Sequence, residues 1–264
     1  MITSLSNDLV KLTVSLHHKK GRQEQNLYLA EGIHLVQEAL RSGARIRRYF
    51  WTQKLITTPE GQALRNSLES RYEGYEVSET VFGKISETET PQGILAAITI
   101  PECSGIELTG LKLGFIVDGL QDPGNVGAII RTAWAGGLDG LIFTPQTADP
   151  FQGKAVRASM GGVFAVPFYR NIEPETIIGH ARQAGIQIVA GDPAAGLNIF
   201  DIDLLPPTLF LVGQEGQGIN PIWRELPAQW VKIPQPGRAE SLNVAVAAGV
   251  LMYEAIRQRF QGKC

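Results

Sequence analysis

Three short stretches combine glycine, amide, carboxylate and guanidinium groups at spacings that could do chemistry. The first is Gly119-Leu-Gln-Asp-Pro-Gly124-Asn125-Val126-Gly127, which follows an apolar run and opens a helical series. A turn of this kind leaves free N–H groups at a helix start, where an anion can sit. Neither G-x-x-x-x-G-K-[ST] nor G-x-G-x-x-G is present, which argues against a nucleoside-triphosphate loop and a dinucleotide fingerprint. Asn125 by itself reads as a helix N-cap. Arg131 is less easily assigned to packing, because Ile129, Ile130, Thr132 and Ala133 around it are apolar or small and a guanidinium in such a helix wants an anionic partner.

The second stretch is Leu211-Val212-Gly213-Gln214-Glu215-Gly216-Gln217-Gly218, three glycines around one carboxylate. Missing Cβ atoms let a backbone approach a ligand closely, although a plain strand-to-helix turn uses glycine in the same way. The third, Ile233-Pro-Gln-Pro-Gly237-Arg-Ala-Glu240-Ser241-Leu242-Asn243, runs a constrained Pro-Gly loop into a helix start that Ser241 or a neighbour can cap. Singly, each is compatible with ordinary turn chemistry.

The elements that must position these stretches alternate. Apolar runs predict strands at Leu113–Val117, Gly140–Thr144, Val163–Phe168, Ile186–Ala190, Leu209–Val212 and Trp230–Ile233. Helical spacing is found after Asn125 and at Lys154–Met160, Pro174–Ala184 and Leu242–Phe260. Six strands alternating with helices imply a mostly parallel sheet covered on both faces, with ligands at the carboxyl ends of its strands. Before it, a helix at Asn7–His18 leads into an exposed basic loop, His17 to Arg22. Strands at Asn26–Ala30, Ile46–Thr52, Tyr75–Val77 and Gly93–Ile100 then alternate with helices at Glu31–Ser42, Pro59–Arg71 and from Ser78. The turn formers Pro101 to Gly105 place a linker near residues 100–110, separating a unit of 1–105 from one of 111–264.

With 264 residues, 44% hydrophobic and 19% charged, the chain is globular in composition, which excludes fibrous and disordered classes. No run approaches the roughly 18 to 20 apolar residues of a spanning helix, and Ser4, Ser6, Asn7 and Asp8 stand where a signal peptide would be apolar, so the expected location is the cytoplasm, away from membranes. Cys103 and Cys264 suit free thiols, and His17, His18, His34 and His180 are scattered, so no metal site is expected. The net charge of −2 hides a gradient: Met1 to Lys54 carries nine basic residues against four acidic ones. Phosphate contact there is plausible, as is an ordinary solvated face.

Together, in this order and spacing, the three stretches closely resemble the SpoU (TrmH) family of the SPOUT superfamily, RNA ribose 2'-O-methyltransferases that use S-adenosylmethionine. The matching motifs are N-x-G-x-x-x-R-T-A at Asn125–Ala133, G-x-E-G-x-G at Gly213–Gly218 and I-P-x-x-G-x-x-x-S-L-N at Ile233–Asn243, with Arg157 to Gly161 between them. The resemblance implies a C-terminal α/β domain whose chain is threaded into a deep trefoil knot. It implies cofactor contacts at Leu211, Gly213, Gly218, Ile233 and Leu242, made largely by backbone. Catalytic positions fall on Arg131, Asn125, Glu215, Ser241 and Asn243, shared across a homodimer. Arg131, too basic for a general base, is expected to stabilise the developing oxyanion and anchor a phosphate, the proton passing to that phosphate or to Glu215. The N-terminal unit resembles a small substrate-binding domain similar to RNA-binding ribosomal proteins, with Lys19, Lys20 and Arg22 on RNA phosphates. Ribosomal RNA is favoured over transfer RNA. A non-catalytic RNA-binding protein of the same fold is the rival, and a nucleotide-dependent dehydrogenase lacks its fingerprint.

Overall fold

The computed structural model describes residues 1–102, 105–214, 216, 218–238 and 241–261; Cys103, Glu215 and Cys264 lie outside the described residues. The chain divides into two compact units. Met1–Pro101 is joined in the first by Asp149–Ala165, and the second comprises Glu102–Ala148 and the chain from Val166 onward. The reading of 1–105 and 111–264 as two uninterrupted blocks therefore differs from the structure over Asp149–Ala165.

In the first unit the order is α1 (Asp8–Ser15), α2 (Lys19–Gln25), β1 (Leu27–Glu31), α3 (Ile33–Arg41), β2 (Ile46–Trp51), α4 (Pro59–Glu69), β3 (Glu73–Glu76), α5 (Glu79–Ile85) and β4 (Ile94–Thr99). Helix starts are chemically marked: the side chains of Asn7, Thr58 and Ser78 accept from the backbone N–H of Leu9, Gly61 and Val81. The strands form a sheet in the order β1-β4-β2-β3, parallel only between β2 and β3. Its central strand β4 is buried from Ile94 to Ile98, and Phe50, Leu95 and Ala97 pack with Val81, Phe82 and Ile85 of α5.

In the second unit β5 (Leu113–Val117), α6 (Pro123–Ala135) and β6 (Gly140–Phe143) come first. The chain then crosses the inserted α7 (Gly153–Ala158) and α8 (Gly162–Ala165) of the first unit. It resumes with β7 (Phe168–Arg170), α9 (Pro174–Ala184), β8 (Gln187–Gly191), β9 (Leu197–Asn198), β10 (Thr208–Val212), β11 (Gln229–Lys232) and α10 (Val244–Gln261). The strand expected at Val163–Phe168 is thus split, its first half helical. Met160 and Gly161, at φ of 50° and 103°, reverse the chain just before it, and a short apolar run does not distinguish strand from buried helix.

The insertion has a visible cause. The Phe151 ring lies 4.6 Å from that of Tyr28 on β1, and the Arg22 guanidinium donates to Asp149 Oδ2 at 2.8 and 2.9 Å. A tilted aromatic contact and an ion pair hold Asp149 onward with the first unit rather than the second.

The second sheet is wholly parallel, seven strands in the order β7-β6-β5-β10-β8-β11-β9. One strand more than expected is present, the two-residue β9 at the edge, too short to leave a periodic signal. The strand order reverses at β5, where the chain first builds outward to β6 and β7 and later returns through β10. Crevices at such reversals are where α/β sheets bind ligands. Residues Leu113–Val117 and Thr208–Val212 are buried throughout, as a parallel sheet covered on both faces requires. Among the described residues no helix is long and apolar enough to cross a membrane.

Candidate active site

Loops leaving β5 and β10 start side by side, because Val117 and Val212 end the two strands in register. The first and second motif stretches therefore emerge together. Beneath them Asp118, 5% exposed, is fully engaged: Thr144 Oγ1 donates to its Oδ1 at 2.8 Å and the backbone N–H of Asn220 to its Oδ2 at 2.9 Å. A buried carboxylate is tolerated only when so paired, and this one ties Asn220, two residues past the second stretch, to the end of β5.

The second stretch closes on itself. Gln214 and Gly218 exchange two backbone hydrogen bonds, 3.0 and 2.8 Å. Gly216 and Gly218 take φ of 83° and 75°, accessible at little cost only to glycine, and a Cβ on Gly213 would lie 2.6 Å from the Gly218 carbonyl oxygen. All three glycines are thus set by geometry. Leu211 is fully buried in the sheet, leaving its backbone as the part able to meet a ligand.

At the start of α6 the capping side chain is Asp122, which accepts from the N–H of Asn125 at 2.9 Å. This corrects the reading of Asn125 as the N-cap. Placed three residues into the helix, Asn125 turns its amide oxygen to the third stretch, accepting from Asn243 Nδ2 at 3.0 Å. Asn243 itself caps α10, its Oδ1 accepting from the N–H of Ala245 and Val246 at 3.0 and 3.3 Å. The helix consequently begins after Leu242, not at it, and Ser241 is not its cap. One amide thus joins the first and third stretches, residues 118 positions apart.

Arg131 is exposed on α6 and makes no hydrogen bond or ion pair among the described residues. Among the described residues it meets no anionic partner: its apolar neighbours Ile129, Ile130 and Ala133 are buried while Arg131 is exposed. Ser241 and Gly218 are exposed, and Ile233 and Leu242 half-buried. Arg22 departs further from expectation. It is 3% exposed, bound to Asp149 and to the carbonyls of Leu16 and His17, so it is not a surface contact for RNA phosphates. The basic loop is in fact α2; Lys19 and Lys20 remain exposed on it.

A further group was not singled out by sequence. The Oε1 of Gln235, in the loop between β11 and α10, is buried and has no hydrogen-bond partner among the described residues. An amide acceptor orphaned in this loop fits a ligand that brings an N–H or O–H donor. Its only sequence signal is a polar side chain between Pro234 and Pro236.

The sequence profile of the SpoU rRNA Methylase family matches residues 112–253, and that of the MRM3-like substrate binding domain matches residues 7–96. The chain belongs to the SpoU rRNA methylase family. Among its relatives, the 23S rRNA (guanosine(2553)-2'-O)-methyltransferase RlmP of Bacillus subtilis is 35% identical over 96% of this chain and 97% of that protein. An AdoMet-bound rRNA methyltransferase from Sinorhizobium meliloti has 35% identity and a TM-score of 0.86 over 97% of both chains. The SpoU methyltransferase AviRb from Streptomyces viridochromogenes, solved in complex with AdoMet, has 30% identity and a TM-score of 0.88, covering 96% of this chain and 98% of that one. All three stretches lie within the residues matched by the SpoU profile.

Proposed function

We propose that this SpoU chain transfers the methyl group of S-adenosylmethionine to a ribose 2'-hydroxyl of ribosomal RNA, as a homodimer. The observation that carries this is the Asn243–Asn125 hydrogen bond beside the closed glycine loop, which brings the family's three motifs to one end of one sheet. The cofactor would be held by the backbone at Leu211, Gly213, Gly218, Ile233 and Leu242, with Gln235 Oε1 as a side-chain acceptor. When bound, it supplies a methyl group already activated by its sulfonium centre.

The protein's task is then alignment and charge control at the hydroxyl, a poor nucleophile at neutral pH. Arg131 stabilises the oxyanion that develops and anchors the target phosphate; Asn125, Ser241 and Asn243 position the ribose. The hydroxyl proton passes to the phosphate or to Glu215. No residue here need act as a base of unusual strength.

Two features support the homodimer. Arg131 has no hydrogen bond or ion pair among the described residues, and the mutually packed helices α6 and α10 expose large apolar side chains, Trp134 (40%), Val246 (53%) and Tyr253 (56%). A second copy would cover that surface and give Arg131 a site to complete. The first unit is the RNA-holding domain in this reading, with Lys19 and Lys20 on phosphates, consistent with the substrate-binding profile over residues 7–96.

Deproteinised 23S and 16S ribosomal RNA from cells lacking the gene, incubated with the purified protein and labelled S-adenosylmethionine, should acquire label that nuclease digestion recovers as a 2'-O-methylnucleoside. Label on a base, or none on any RNA while the cofactor still binds, overturns the proposal, the latter in favour of a non-catalytic RNA-binding role.

A further inference from the structure

A polar cavity of about 270 Å³ opens beside the glycine loop, at the carboxyl ends of β5, β6 and β10. It is small against the roughly 300–1,000 Å³ of pockets that enclose whole ligands, which suits one planar ring better than a nucleotide. Gly119 and Asp118 border it on the first-motif side and Gln214 and Gly218 on the second. The cavity thus borders both the first and the second motif stretch.

The lining divides into spent and unspent groups. Asp118 and Thr144 are occupied with each other and with Asn220. Gln146, Glu173 and Gln214 each lack a side-chain hydrogen bond or ion pair among the described residues. Glu173 stands at the N-cap position of α9, where a side chain ordinarily folds back on the helix, yet it makes no capping bond. Gln146 holds φ of 69°, disfavoured for a residue with a Cβ, and is fixed there by Gln121 Nε2, which donates to its carbonyl at 2.5 Å. One carboxylate and two carboxamides, without side-chain partners among the described residues, form a hydrogen-bonding rim rather than an apolar slot.

Such a rim selects among bases. A carboxylate accepts hydrogen bonds only, and guanine alone presents two adjacent donors, N1–H and the N2 amine, on its Watson–Crick edge. Uracil, cytosine and adenine each set a single donor beside an acceptor that would face the carboxylate's charge. We propose that this cavity receives the base of the target nucleotide, that the base is guanine, and that Glu173 reads its N1–H and N2 amine while Gln146 and Gln214 take the remaining edge. The nucleotide must leave its stack to reach the site, as in other enzymes acting on single nucleotides within folded RNA. The assignment rests on the methyl-transfer reading above.

The test uses the full-length protein, deproteinised 23S and 16S ribosomal RNA from cells lacking the gene, and mass spectrometry of the digested product. The wild type should yield 2'-O-methylguanosine alone. Glu173→Gln should lower kcat/KM for RNA roughly ten- to hundredfold, the worth of one bidentate base contact. Its cofactor Kd and thermal midpoint should stay unchanged, because Glu173 is exposed, makes no side-chain hydrogen bond or ion pair among the described residues, and is not among the groups proposed to hold the cofactor. In a synthetic fragment spanning the mapped site, inosine in place of guanosine should cost the wild type a similar factor and the variant much less. Another methylated nucleoside, or a Glu173→Gln variant equal to wild type, overturns the base assignment while leaving methyl transfer intact. Failure of the wild type to methylate any RNA removes the functional reading itself.

Discussion

Arg131 and Arg22 show how little a residue type says about its task. Arg131 stands among apolar or small neighbours and Arg22 in a polar, basic run, yet Arg22 is sealed against Asp149 and two carbonyls, while Arg131 faces outward with no partner among the described residues. In the proposed reaction, an exposed guanidinium with no partner among the described residues would stabilise charge that arises only during methyl transfer. Arg131→Ala should therefore lower the methyl-transfer rate about a hundred- to a thousandfold, the scale of losing one oxyanion donor, with cofactor Kd unchanged. Radiolabel transfer and calorimetric titration measure the two separately; near-normal transfer would remove Arg131 from the mechanism. Asn125 carries the opposite lesson. With Asp122 taking the cap, the Asn125 side chain becomes available to Asn243.

At the scale of elements, the glycine loop is shaped by close approach as much as by unusual dihedrals. A Cβ on Gly213 would meet Gly218 and Ile219 backbone at 2.6 to 2.7 Å, and backbone does not yield as a flexible side chain does. Gly213→Ala should cost about 1–3 kcal/mol of stability and open the Gln214–Gly218 pairing. Calorimetry should then show both a lower thermal midpoint and lost cofactor affinity; intact affinity would mean the loop does not hold the cofactor. For α2, replacing Lys19 and Lys20 by Ala should weaken RNA binding and flatten its dependence on log salt by about 1.4, the share of two phosphate contacts to unpaired RNA. An unchanged slope in filter binding would place the RNA elsewhere. Arg22 is not included in that variant, since its loss would strand Asp149 and unsettle the fold.

For the whole molecule, the exposed apolar positions on α6 and α10 matter most. Val246 and Tyr253 lie seven residues apart on one face of α10, and leaving such side chains in water is a standing cost that a second copy would relieve. The double variant Val246→Glu, Tyr253→Glu should sediment as a folded monomer and lose methyl transfer, because Arg131 would have no neighbouring site to complete. A dimer that survives both substitutions would refute this surface as the interface.

Much was readable without coordinates. The motif stretches, the alternating α/β order and the buried parallel strands rest on local chemistry: glycine where φ is positive, an apolar run where both faces of a strand are covered, Asn, Thr or Ser at a helix start. What tertiary structure alone decided depends on residues far apart in sequence. The helical start of the run at Val163, the placement of Asp149–Ala165 with the first unit, the burial of Arg22 by Asp149 and the orphaned Gln235 amide all arise from contacts that no local window contains. The two-residue β9 was invisible because an edge strand that short carries no period. Type and spacing prescribe what a segment can become; which long-range partner reaches it first in energy prescribes what it is.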